Sequence, residues 1–265
     1  MKGIASIFLS LVFSLQIHAS WYADIPSDDE VITYHGQSKA EKLQKNTEYT
    51  MLVWNIYKHK KQGLVEDLLE LSEHSDLVLL QESMVDPTMV SLFQTTVGMG
   101  WISAASFFTG DGTTGVATGT RLDVSSAGFI RSKVTEPIVG TPKMVVYTKH
   151  PVQSGEELLV ANIHGINFVS TRSFKAQIEQ LYQTVKGHSG PLIVAGDFNS
   201  RNKERWTVLN DFSKQLSLKH VKLKNEKYEH PIDAILTRDV EVMEGEILFD
   251  YETSDHKPLL LKFKL

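Results

Sequence analysis

Several apolar runs in this 265-residue chain end abruptly in residues that can bind, orient or move protons. Val53-Trp54 runs into Asn55, Leu79-Leu80 into Gln81-Glu82, Asn162-Ile163 into His164-Gly165-Ile166-Asn167, and Val194-Ala195 into Gly196-Asp197-Phe198-Asn199. Asp233 lies inside Pro-Ile-Asp-Ala-Ile, and Ser254-Asp255-His256 stands just before the last apolar run. Carboxylates, amides and two imidazoles delivered by separate segments form a hard donor set, suited to Mg²⁺, Mn²⁺ or Ca²⁺ beside a phosphate. Each element alone also has a structural reading: an Asx turn at Gly-Asp-Phe-Asn, a turn entering a strand at Asp255-His256, a strand-end ion pair at Glu82.

The elements that would position these groups are legible as short apolar runs of strand length: Met51–Trp54, Leu77–Leu80, Gly115–Ala117, Met144–Tyr147, Leu158–Ile163, Leu192–Ala195, Ile232–Leu236 and Leu259–Phe263. Between them lie helical stripes. Leu64, Val65, Leu68, Leu69 and Leu71 mark one, Phe174, Ile178, Leu181, Tyr182 and Val185 a cleaner one ending at Gly187, and residues 204–216 a third. No linker or repeat divides residues 49–265, so one α/β domain with helices packed outside sheets is expected. Residues 20–48 are polar and aperiodic and read as a leader or ordered flap.

Composition narrows the chemistry. With no cysteine, thiolate metal sites, cysteine nucleophiles and disulfide scaffolds are excluded. A net charge of −5 supplies no global field for a polyanion, so an anionic substrate needs local neutralisation by a cation or basic patch. Lys2, the apolar stretch from Ile4 to Ile17 and small residues Ala19 and Ser20 read as a signal peptide over residues 1–19, implying export to a bacterial periplasm or exterior.

Taken in order, Val-Trp-Asn55, Leu-Leu-Gln-Glu82, Gly115-Val-Ala-Thr-Gly-Thr-Arg121, Asn-Ile-His164-Gly-Ile-Asn167, Ala-Gly-Asp197-Phe-Asn199, Pro-Ile-Asp233-Ala-Ile and Ser-Asp255-His256-Lys-Pro-Leu-Leu resemble the endonuclease/exonuclease/phosphatase superfamily across residues 49–265. The closest resemblance is to an exported or membrane-proximal bacterial branch of unsettled substrate. It implies a DNase I-like four-layer sandwich, two mixed β-sheets face to face with helices outside, and a site at one end.

The resemblance also implies roles. Glu82 would be the principal Mg²⁺ carboxylate, with Asn55 and Asp255 contributing directly or through water. Asp197 would orient and deprotonate the attacking water, and Asn199 would fix its surroundings. His256 would donate to a phosphate oxygen with Asp233 holding its ring, while His164 and Asn167 would face the scissile phosphate. The chemistry is coherent: a phosphodiester repels hydroxide, and a divalent cation with protonated imidazoles neutralises its oxygens.

A phosphodiesterase acting on nucleic acid is therefore the leading expectation. A histidine at position 164 is similar to the DNase I and sphingomyelinase branches, which makes a lipid phosphodiesterase the second reading, with Trp101, Phe107 and Phe108 as the candidate membrane cluster. A non-catalytic binding protein is the third, disfavoured because every matched position is chemically competent. No obligate protein partner is evident, and a monomer is expected. Lys58, Lys60 and Lys61 read as a solvated face, with contact to a phosphate backbone as the alternative; Trp54 reads as core. His35, His59, His74, His150, His188, His220 and His230 read as solvated or capping.

Overall fold

A computed structural model describes residues 23–265, so the expected signal segment at 1–19 lies outside the described residues. The strands are β1 (Ile32–Gly36), β2 (Tyr49–Asn55), β3 (Leu77–Val85), β4 (Gly100–Phe108), β5 (Thr113–Thr120), β6 (Ser126–Arg131), β7 (Met144–Pro151), β8 (Glu157–His164), β9 (Leu192–Asp197), β10 (Lys219–His220), β11 (Asp233–Arg238), β12 (Glu241–Ile247) and β13 (Leu259–Lys264). The helices are α1 (Leu64–Glu73), α2 (Pro87–Thr95), α3 (Thr171–Val185) and α4 (Lys203–Leu216). Every strand and helix expected from the sequence is present. The segment read as a leader contributes β1, which pairs with β4 as an edge strand.

One sheet has the order β1-β4-β5-β3-β2-β13-β12 and the other β10-β11-β9-β8-β7-β6. Their facing surfaces bury Met51, Val53, Leu79, Val160, Ile193, Ile235 and Leu261 in one continuous core. Outside the first sheet, Leu64 and Leu68 of α1 and Phe93 of α2 pack on Trp54 and Trp101. Outside the second, Phe174 and Leu181 of α3 and Trp206 and Phe212 of α4 cover Ala161, Val194 and Leu236. These are the four expected layers, each buried where its apolar period faces a neighbour.

Two parallel crossovers decide where polar strand ends collect. β2 and β3 run parallel around α1, with Asn55 opposite Gln81. β8 and β9 run parallel around α3, with His164 opposite Asp197. Parallel neighbours present their C-terminal ends at the same edge, so both pairs deliver polar termini side by side. Just inside that edge the buried Gln81 Nε2 donates to Asn162 Oδ1 at 2.7 Å, bridging the two sheets. Asn162 Nδ2 donates in turn to the Leu80 and Ala117 carbonyls at 3.1 and 2.9 Å. A bridge of this kind sets sheet register at the site, because an unpaired buried amide is costly.

His150, read from the sequence as solvated or capping, is instead a core residue of β7 at 0% exposure. Its Nδ1 donates to the Asp123 carbonyl at 3.0 Å, and its Nε2 accepts from the Thr148 hydroxyl at 2.8 Å. Burial lowers its pKa to about 4, against the weaker opposing pull of Asp123. The unfolded imidazole takes a proton below about 6.5, so between these values the unfolded state binds more protons and stability falls as pH falls. Acidification from pH 7 to pH 5 is expected to remove about 2 kcal/mol through this residue alone. Urea unfolding of the wild type and His150→Gln at both pH values measures it; equal losses in the two proteins would refute it.

Candidate active site

Local backbone conformation aims each group. At Glu82 the β3–β5 register shifts between Gln81 and Ser83, and Glu82 takes a φ of +49°. The extra residue lets Gln81 and Ser83 both face the interior while the glutamate between them turns toward the sheet end. After β9 the chain turns back within two residues: Asn199, at φ +52°, donates its backbone N–H to Asp197 Oδ1 at 2.8 Å. Gly165 is required beside this turn, since a Cβ there would overlap the Phe198 carbonyl. Asn199 Nδ2 donates to the Gly165 carbonyl at 2.9 Å and so ties the ends of β8 and β9 together.

Asp197 is the hub. Its Oδ2 accepts from Asn55 Nδ2 at 3.0 Å, across the two sheets, and from Asn199 Nδ2 at 3.2 Å. The Nε2 atoms of His164 and His256 lie 3.6 and 3.9 Å from the same oxygen. Asp233 starts β11 directly opposite Asp197 and accepts from His256 Nδ1 at 2.8 Å. His164 Nε2 also stands 4.0 Å from Glu82 Oε1. The structure thus gathers Asn55, Glu82, His164, Asp197, Asn199, Asp233 and His256 into one contact network.

Charge is distributed unevenly within it. Burial, with the negative charge of Asp233 opposite, raises the Asp197 pKa to about 7, against the pull of His256, the Asn199 N–H and the Asn55 amide. Burial disfavours the His256 cation, but the hydrogen bond and charge of Asp233, with Asp197 and Asp255 behind them, raise its pKa to about 9. His164 differs: burial first, then the charges of Lys143, Lys58 and His256, hold it well below the ordinary imidazole value. The two rings therefore differ in charge, one a cation and one neutral, rather than both being protonated as expected.

A divalent cation fits the Glu82 side. Burial alone would raise the Glu82 pKa, yet the Lys58 charge and hydrogen bond, with Lys143 and His256, hold it below the usual carboxylate value. It is thus an anion already holding a cation, since Lys58 Nζ lies 2.5 Å from Oε2. Asn55 Oδ1 accepts the Tyr57 N–H at 3.1 Å, leaving one lone pair. Asp255 is exposed and borders a different cavity, together with Asp233 and His256. Asp197, Asp233 and His256 do cluster within 4.8 Å, but the His256–Asp233 hydrogen bond already occupies the imidazole nitrogen nearest a carboxylate.

Asn167 is set apart. Its Oδ1 accepts from the Phe168 N–H at 2.9 Å, and among the described residues no side-chain hydrogen bond joins it to the network. Lys58, which the sequence presents as a solvated face, is instead half-buried on Glu82. Lys143, paired with Glu136 at 3.4 Å, and Arg205, which donates to the Asn199 and Ile166 carbonyls at 2.8 and 3.0 Å, were not legible at all. The aromatic cluster proposed for membrane docking does not assemble: Trp101 is buried against Phe93 at 4.2 Å between ring centroids, beneath α2 on the outer face of its sheet.

The model of the Endonuclease/Exonuclease/phosphatase family matches residues 52–256. A UPF0294 protein of Vibrio parahaemolyticus is 29% identical over 284 residues, covering 99% of this chain and 97% of its own. The mannosyl-6-phosphatase of Bacteroides thetaiotaomicron superposes with a TM-score of 0.61 at 16% identity, over 82% of this chain and 100% of its own. D. rerio TDP2, solved with a single strand DNA product, superposes with a TM-score of 0.60 at 16% identity, over 83% and 99%. At these identities the two structures bear on the fold alone.

Proposed function

We propose, from the premise that this chain belongs to the Endonuclease/Exonuclease/phosphatase family, that it is a divalent-cation-dependent phosphodiesterase acting on nucleic acid. The observation that carries this reading is the convergence on Asp197 Oδ2: two imidazole Nε2 atoms within 4 Å and two amide donors, supplied from both sheets. A carboxylate so held has the geometry of a base for one positioned water, and the two rings stand where phosphate oxygens would be bound.

In this reading the water's oxygen attacks phosphorus while its proton passes to Asp197. The ester P–O bond opposite breaks, and its electron pair leaves with the alcohol oxygen, which takes a proton from solvent. The products are a phosphomonoester and an alcohol. His256, kept cationic by Asp233, donates to a non-bridging oxygen; neutral His164 donates a single N–H beside it. Glu82 would hold the cation, with Asn55 and Asp255 contributing directly or through water, and a bound cation supplies charge neutralisation at the phosphate. Asn167 is assigned to the substrate side of the same edge. Mg²⁺ is the first choice because one protein carboxylate suffices when water and phosphate complete its shell.

Proteins of similar fold include both a mannosyl-6-phosphatase and a TDP2 solved with a single strand DNA product, so the substrate rests on the chain's own site. The burial of Trp101 against Phe93 removes one member of the candidate membrane cluster and counts against the lipid reading. We place the activity outside the cytoplasm, on the signal-like pattern of residues 1–19. Hydrolysis of bis-p-nitrophenyl phosphate with Mg²⁺, lost in EDTA and restored by Mg²⁺, is the expected result, followed by cleavage of plasmid DNA or RNA rather than sphingomyelin or inositol phosphates. Full activity in EDTA, or activity on sphingomyelin alone, would overturn the reading.

A further inference from the structure

The reacting groups open on two sides of very different size. Beside Glu82 and His164 lies a crevice of about 20 Å³, closed by Lys58, Lys143 and Phe107 and too small for any organic group. Beside His256 and Asp233 lies a cavity of about 570 Å³, within the roughly 300–1,000 Å³ typical of small-molecule sites. Of these two sides, the one beside His256 has room for the organic portion of a substrate whose phosphate sits at Asp197.

The walls of this cavity have a consistent chemistry. Tyr228, from the loop between β10 and β11, is 75% exposed, and Phe249, from the loop between β12 and β13, is 40% exposed. Two large aromatic faces left in solvent at the mouth of one cavity suit a flat π-system. Lys227 Nζ lies 5.3 Å over the Phe249 ring, so the two loops meet there. Arg201 lines the same cavity and reaches the reacting edge, its Nη2 donating to Asn199 Oδ1 at 3.2 Å. His230 also lines it, and its Nδ1 is buried with no hydrogen-bond partner among the described residues.

We infer that this cavity is a nucleotide subsite: the base stacks on Tyr228 and Phe249, and Arg201 binds the phosphate side of the sugar. A base supplies a π face for the two rings and edge donors and acceptors for the polar lining. An acyl chain would leave the charged wall of the cavity, Arg201, Lys227 and Lys257 with Glu226 and Asp255, without polar partners, whereas a nucleotide offers it a phosphate and a polar base edge. The inference rests on the phosphodiesterase reading, because it needs a phosphate at Asp197, but it concerns what is attached to that phosphate.

Binding, rather than turnover, separates the two. Isothermal titration of the wild-type protein with thymidine 5′- and 3′-monophosphate, ribose 5-phosphate and phosphocholine is expected to show one nucleotide bound at least about tenfold tighter than either base-free phosphate, in line with the usual worth of base–aromatic stacking. Tyr228→Ala and Phe249→Ala, both at exposed positions, should each erase most of that preference while leaving ribose 5-phosphate affinity within about twofold. Equal affinity for nucleotide and ribose 5-phosphate, tighter binding of phosphocholine, or equal weakening of all ligands by the substitutions would overturn the subsite. A wild-type protein that prefers nucleotide but leaves bis-p-nitrophenyl phosphate intact would support the subsite and overturn the reaction instead.

Discussion

Asp197→Asn is expected to lower the rate of bis-p-nitrophenyl phosphate hydrolysis by about 10²–10⁴-fold, the range for loss of a general base, with little change in KM. Asparagine keeps the size of the side chain, but its single acceptor oxygen can serve either the Asn55 and Asn199 amides at Oδ2 or the Asn199 backbone N–H at Oδ1, and the other side loses its acceptor. It cannot take the water's proton. A second effect offsets that lost acceptor in the fold. Asp197 is buried directly opposite Asp233, and removing one of two facing carboxylates relieves repulsion and desolvation that stability otherwise bears. Thermal unfolding of Asp197→Asn is therefore expected close to the wild-type midpoint. A drop in stability that tracked the loss of activity would reassign Asp197 to structure, and a matching rise in KM would reassign it to substrate binding.

The sequence carries most of the fold because most strands are apolar on both faces and end in polar residues. Leu192–Asp197 is buried throughout, and its run of Leu, Ile, Val and Ala marks a central strand without any partner being known. The elements that escape notice lack that contrast. β4 contains Ser103, Ala104, Ala105 and Ser106, small residues buried by close neighbours rather than by their own apolarity. β12, with Glu241, Glu244 and Glu246, is an exposed edge that is a strand only because β13 pairs with it. α2 did have a local signal, since Asp86 caps it by accepting from the Met89 N–H at 2.9 Å and Pro87 opens its first turn.

The site divides along the same line. Asn55, Glu82, His164 and Asp197 are legible because each interrupts an apolar run at a strand end, and parallel pairing brings such ends together. Lys58 and Lys143 are not legible, because a lysine in a loop reads as solvated until a carboxylate is placed against it in space. The charge state of His164 is hidden for a related reason. Nearby carboxylates favour its cation, while full burial and two lysines oppose it, and only the packed structure says which wins.

The claim that organises this account is that one phosphate is held between imidazoles from β8 and from the turn before β13, both directed at Asp197 Oδ2. A double-mutant cycle on bis-p-nitrophenyl phosphate hydrolysis tests it most directly. His164→Ala and His256→Ala are each expected to lower turnover by about 10²-fold or more, as for lost donors at a developing charge. Because groups acting on one phosphate are not additive, the double variant should fall clearly short of the product of the single losses. Losses that multiply fully would contradict the account, since they would mean that the two rings act at separate places.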